Sequence, residues 1–151
     1  IPTLEAVARY TVANNIACNI EIKPTPGLEA VTGTAIARQA LHDWREAAVP
    51  PLLSSFSLTA LEAAKQEAPS LPRGWITKTL DENWRQTLAQ LGCVSIHLHH
   101  ALLTKALVND IHNAGFRVAV WTVNDPARAA ELLRWGVDSV ITDALDLIHA
   151  A

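Results

Sequence analysis

Short apolar runs alternate with longer stretches of helical periodicity from one end of the chain to the other. The runs Ala17–Lys23, Leu52–Phe56, Gly74–Thr77, Cys93–Leu98, Arg117–Val123 and Val137–Thr142 have the length and apolar content of strands. Between them lie Leu4–Val12, Leu28–Ala47, Leu58–Glu67, Asp81–Leu91, Leu103–Asn113 and Ala127–Trp135, whose apolar residues recur at helical spacing. The punctuation agrees. Thr79 and Glu82 fit a capping box, in which a hydroxyl and a carboxylate satisfy helix-end amides. Asp125 before Pro126 supplies a cap followed by proline at the first helical position, where its missing N–H costs nothing. Gly92, Gly115 and Gly136 fall just past helix ends. Strands alternating with helices predict an α/β fold with a parallel sheet and helical crossovers.

A closed barrel and an open doubly wound sheet share this pattern. No Gly-rich phosphate loop follows the first strand, which weakens the dinucleotide-binding version. No low-complexity tract or internal linker interrupts residues 1–151, so the reading is one domain, or part of one.

Composition narrows the function classes. Half of the 151 residues are hydrophobic and 18% are charged, enough to build a core. The 12 basic and 15 acidic residues are spread along the chain, and no basic run is present to follow a nucleic-acid backbone. No apolar stretch is long enough to span a bilayer. Cys18 and Cys93 lie in strand-like runs, where small buried thiols are the default. Two such cysteines make no disulfide framework, so a reducing, cytoplasmic setting is expected. The chain opens at Ile1 without a signal-peptide pattern, and an upstream segment could carry one.

The first chemistry lies in Asn19-Ile-Glu-Ile-Lys23. Alternation in a strand puts Cys18, Ile20 and Ile22 on one face and Asn19, Glu21 and Lys23 on the other. A carboxylate and an ammonium sharing a face near a C-terminal strand end stand where barrel enzymes place their sites. An ordinary ion pair at a strand end fits the same spacing.

Five segments together resemble the glycerophosphodiester phosphodiesterase family. They are Ile1-Pro-Thr-Leu-Glu5 opening a helix, Asn19–Lys23, Leu53-Ser-Ser-Phe56, Gly115-Phe-Arg-Val-Ala-Val-Trp-Thr-Val-Asn124 and Gly136-Val-Asp-Ser-Val-Ile-Thr-Asp143. They occur in the family's order and span nearly the whole chain. The resemblance implies a (β/α)8 TIM-type barrel, which takes about 250 residues. This chain then lacks about the first three strands, which in the family hold a His-Arg-Gly strand, a Glu-x-Asp strand that helps bind metal, and a His-Asp strand. Both of the family's proton-transferring histidines are among them. Six strand candidates exceed the five remaining slots, so either Gly74–Thr77 or Cys93–Leu98 is expected not to be a full barrel strand.

The resemblance implies hydrolysis of a glycerophosphodiester to glycerol 3-phosphate and an alcohol, helped by a divalent cation, Mg or Ca. Glu21 matches a carboxylate ligand of that cation, and hard cations take oxygen ligands. Lys23 matches the lysine that contacts the phosphodiester. Phe56 and Trp121 match the rim and wall of the substrate pocket, with core packing the alternative for each. His97, His99 and His100 form a tempting cluster, and Ser95, His97 and His99 share one strand face. The family's acid and base come from elsewhere, however, so polar packing is the expectation for these three. His42, His112 and His149 lie on helical patterns and should face solvent. Asp143 could cap a following helix, although Ala144-Leu145 replaces the family's usual proline-containing turn.

The expected ligand is a small glycerophosphodiester, and the expected protein partners are the chain's own missing N-terminal segment or another copy. Two alternatives stay open: an unrelated phosphate-handling barrel enzyme, and a non-catalytic barrel remnant that acts as a binding module through unpaired sheet edges.

Overall fold

In a computed structural model that describes residues 1–149, the chain divides into two compact units, Ile1–Trp75 and Ile76–Ala151. The first unit runs α1 (Leu4–Ala13), β1 (Asn19–Glu21), α2 (Glu29–Asp43), β2 (Leu52–Ser55), α3 (Leu58–Glu67) and the start of β3 (Arg73–Thr77). The second runs α4 (Trp84–Leu91), β4 (Ser95–His99), a 3₁₀ turn (His100–Leu102), α5 (Lys105–Asn113), β5 (Arg117–Trp121), α6 (Pro126–Arg134) and β6 (Ser139–Val140). Strands are parallel within each unit.

In the first unit, Ile22, just past β1, and Leu53 of β2 enter a core completed by Ala37, Ala40 and Trp44 from the α2 region and by Ala60 and Ala64 from α3. Ile20 packs on the same cluster. That fixes which face of β1 meets the helices, and Glu21 belongs to the opposite one. The helices approach closely because small residues line their seam. A Cβ added to Gly33 would lie 2.3 Å from the Ala60 carbonyl oxygen. Arg38 on α2 then clasps Glu67 on α3 through two hydrogen bonds, of 2.8 and 3.1 Å.

In the second unit, the register Ile96↔Val118 and Leu98↔Val120 aligns four fully buried aliphatic side chains on one face. Asp138, just before β6, ties the bottom of that sheet together. Its carboxylate accepts hydrogen bonds from Arg117 Nη1 and the Val118 N–H and contacts His112 Nε2, each at 2.8 Å. Burial pushes the Asp138 carboxyl up, but the Val118 amide, His112 and Arg117 together hold it below the usual value.

Several sequence expectations hold. Asp125 caps α6 with Pro126 behind it, and Gly92, Gly115 and Gly136 all have positive φ. Both cysteines are free thiols, Cys93 buried and Cys18 half-buried.

Others are corrected. Gly74–Thr77 and Cys93–Leu98 both yield full five-residue strands, Arg73–Thr77 and Ser95–His99. Run length was a poor guide, because each pairs in parallel along a neighbour that supplies the missing backbone partners. With all six runs forming strands, the (β/α)8 barrel is still incomplete, as expected. The capping box at Thr79 does not form. The Thr77 hydroxyl occupies the Thr79 backbone at both its N–H and its carbonyl, Asp81 accepts the Asn83 N–H, and α4 begins only at Trp84. Asp143 caps no helix; its N–H donates to Asn124 Oδ1. His42 and His149 are exposed as expected, but His112 is half-buried against Asp138.

Candidate functional site

Glu21 closes β1 and Lys23 lies two residues beyond it. Their side chains stand on the same side, with Lys23 Nζ 3.4 Å from Glu21 Oε2. The Glu21 side chain is 31% exposed and that of Lys23 76%, so the pair adds little to stability. The backbone beneath is fastened more firmly. The Ile22 N–H donates to the Ser54 carbonyl at 2.7 Å, and the Ser55 hydroxyl donates to the Ile22 carbonyl at 2.7 Å. The same Ser55 oxygen accepts the Ser57 N–H, and Ser57 caps α3. A chain of hydroxyls therefore fixes the end of β1 relative to the end of β2 and the start of α3.

The register aligns Glu21 with Ser54 and Ser54 with Gly74. Lateral neighbours in parallel strands project to one side, so this row lies on the face away from the helices. Phe56, two residues after Ser54, continues the same alternation and is 45% exposed. Ser54, which sequence reasoning did not single out, is fully buried, and its hydroxyl has no partner among the described residues. Only the register between strands reveals it, because the Ser54-Ser55 dipeptide alone does not say which hydroxyl faces which way.

In the second unit, the register His97↔Ala119 and His99↔Trp121 sets two imidazoles and an indole on one face. The Trp121 Nε1–H donates to the His97 carbonyl at 3.1 Å. His99 stands edge-on to the indole, at 5.3 Å between centroids and 83° between planes. His97 is 2% exposed, its Nε2 lies 2.9 Å from the Ser95 hydroxyl, and burial pushes its imidazole down to about 4. Burial, then His99 and Arg128, likewise push His100 down. Arg128 donates to the His100 carbonyl at 2.7 Å, which anchors the 3₁₀ turn to α6.

A metal site is not complete here. Among the described residues no group of three or more His, Cys, Asp or Glu side chains could hold an ion. Glu21 offers one carboxylate, already beside an ammonium, whereas Mg²⁺ or Ca²⁺ needs about six oxygen ligands.

The sequence profile of the glycerophosphoryl diester phosphodiesterase family matches residues 1–147. The chain belongs to this family. Among curated relatives, a glycerophosphodiester phosphodiesterase of Caldanaerobacter subterraneus is 29% identical over 148 residues, which is 95% of this chain and 58% of the relative. A probable glycerophosphodiester phosphodiesterase 2 of Mycobacterium tuberculosis is 31% identical over 165 residues, 99% of this chain and 59% of the relative. Among solved structures, an Oleispira antarctica phosphodiesterase in complex with the product sn-glycerol-3-phosphate superposes with a TM-score of 0.85 at 31% identity. That match covers 95% of this chain and 58% of the other. A glycerophosphodiester phosphodiesterase of Thermotoga maritima, at 24% identity and a TM-score of 0.71 over 97% of this chain and 62% of the other, shares the fold. The chain spans about 60% of the length of the curated relatives it matches. Its fold class is α/β, an incomplete (β/α)8 barrel. No helix among the described residues is long and apolar enough to cross a membrane.

Proposed function

We propose that this chain is the C-terminal part of a phosphodiesterase barrel that hydrolyses glycerophosphodiesters to glycerol 3-phosphate and an alcohol. The observation that carries the reading is the Glu21–Lys23 pair on the helix-free face at the end of β1, in a chain of this family. In the reaction, water adds to phosphorus, the bond from phosphorus to the departing alkoxide breaks, and a proton lost by the water ends on the alcohol. The non-bridging oxygens gain charge in the transition state. Lys23, a compact ammonium 3.4 Å from the Glu21 carboxylate, is the proposed group that neutralises this charge. Glu21 contributes one carboxylate toward a divalent cation, Mg or Ca, whose remaining ligands the described residues do not supply. Phe56, in the first unit, is a proposed apolar substrate contact, and so, in the second, is Trp121. Support comes also from the relative solved with sn-glycerol-3-phosphate.

A second reading is a non-catalytic binding module. Among the described residues β1 pairs only with β2, which leaves a strand edge able to accept a partner strand.

Turnover separates the two readings from an unrelated chemistry. The 151-residue chain, given glycerophosphocholine with Mg²⁺ or Ca²⁺, should release almost no glycerol 3-phosphate, because proton-transferring groups typically contribute about 10²–10⁴ in rate. It should still bind sn-glycerol 3-phosphate, and Lys23→Ala should weaken that binding by about 10–100-fold, the usual worth of a charged hydrogen bond. Rapid metal-dependent turnover, with Lys23→Ala unchanged, would show that other residues build the site.

A further inference from the structure

Trp121 is fixed in place by its own N–H, which is donated to the His97 carbonyl at 3.1 Å. His99, its direct neighbour in the register, meets the indole edge-on at 5.3 Å. The tautomer of His99 follows from a second bond. Its Nδ1 accepts the Ala101 N–H at 3.3 Å as the strand turns into the 3₁₀ segment. A ring nitrogen that accepts carries no proton, so the proton of this imidazole sits on Nε2. Nε2 has no hydrogen-bond partner among the described residues, and the side chain is half-buried. His97, on the same face, is 2% exposed, and its Nδ1 is buried with no partner among the described residues. His99 Nε2 is not buried in that way, so its N–H stays open to solvent and to a ligand.

We propose that His99 is a ligand-binding residue, with Nε2–H donating to an oxygen of a glycerol phosphate whose carbon chain lies against Trp121. The pairing suits that chemistry. A fixed aromatic surface takes C–H groups, and a neutral N–H donor takes a hydroxyl or ester oxygen without demanding a full charge. The tie between Nδ1 and the Ala101 amide holds the donor's direction, so binding does not have to order the imidazole. The inference rests on the proposed glycerophosphodiester chemistry and adds a residue to it.

The test follows the imidazole nitrogens of His99 by NMR while sn-glycerol 3-phosphate is added to the chain. The Nε2 resonance should move saturably. His99→Phe, which keeps an edge against Trp121 but has no donor, should weaken binding by about tenfold, the usual worth of one hydrogen bond. His99→Gln, whose amide N–H reaches a similar place, should lose less than about threefold. An unmoved His99 resonance in the parent, or His99→Phe binding like the parent, overturns the proposal; the first readout needs no variant to fold. Lys23→Ala separates the two levels. If it weakens binding while His99 stays silent, the phosphodiesterase reading stands and His99 falls. If His99 responds while Lys23→Ala binds like the parent, His99 stands and that reading falls. No saturable response anywhere counts against both.

Discussion

His97 lies within β4 at 2% exposure, with one ring nitrogen on the Ser95 hydroxyl and the other without a partner among the described residues. Burial holds its imidazole at about 4, against 6.5 for an ordinary histidine. Between those values the unfolded chain binds a proton that the folded chain refuses, so this contribution to stability falls as pH falls. At about pH 4.5 the loss reaches ~2–3 kcal/mol, from 1.36 kcal/mol per pK unit. His100 is pushed the same way, first by burial, and adds in the same direction. The Asp43 and Asp138 carboxyls are held below their ordinary 3.8, Asp43 mainly by its hydrogen bond to His42, so their losses come at lower pH. Urea titrations at pH 7 and 4.5 should show this slope in the parent and a clearly shallower one in His97→Gln; equal slopes would contradict it. The sequence placed His97 and His99 on one face, because strand alternation needs no partner. It could not place Trp121 beside His99, since register between strands is set by tertiary packing. The same limit hid Ser54 beside Glu21.

Gly33 decides the packing of α2 on α3. Intrinsic propensity favours alanine over glycine in a helix by about 1 kcal/mol. Here the added methyl would meet the Ala60 carbonyl oxygen at 2.3 Å, a backbone atom that moves only with its helix. Overpacking of that kind costs about 1–3 kcal/mol, and a clash this short belongs at the upper end. Gly33→Ala should therefore destabilise the chain by about 1–2 kcal/mol net in chemical denaturation. Stabilisation by the propensity difference would mean that the helices are further apart. At this scale the sequence was legible where a local group decides. Asp125 with Pro126 capped α6 as read, because both act within one turn. The Thr79–Glu82 box failed because the Thr77 hydroxyl, two residues outside the motif, captured the Thr79 backbone first. Strand ends were overestimated for a related reason. Apolar patterning runs over Ala17–Lys23, but β1 is only three residues long, Asn19–Glu21.

For the molecule as a whole, alternating strands and helices made the parallel α/β class readable, and five ordered motifs made the family readable. The division into two compact units was not signalled, since no linker composition marks the boundary at Trp75 and Ile76. Among the described residues β1 has only β2 as a neighbour and β6 only β5, so each leaves backbone groups without a strand partner. Such edges recruit other strands. The 151 residues expressed by themselves should therefore not sediment as a monomer of 16.4 kDa that melts cooperatively; such a monomer would contradict this expectation. On the proposed reading, the helix-free face at the end of β1 receives the phosphate of a glycerol phosphate. Backbone amide shifts, recorded as sn-glycerol 3-phosphate is added, test this. Saturable shifts are expected at Glu21–Lys23 and at Ser54–Phe56, lost in Lys23→Ala. Saturable binding that leaves these amides unmoved, or that survives Lys23→Ala unchanged, would contradict it.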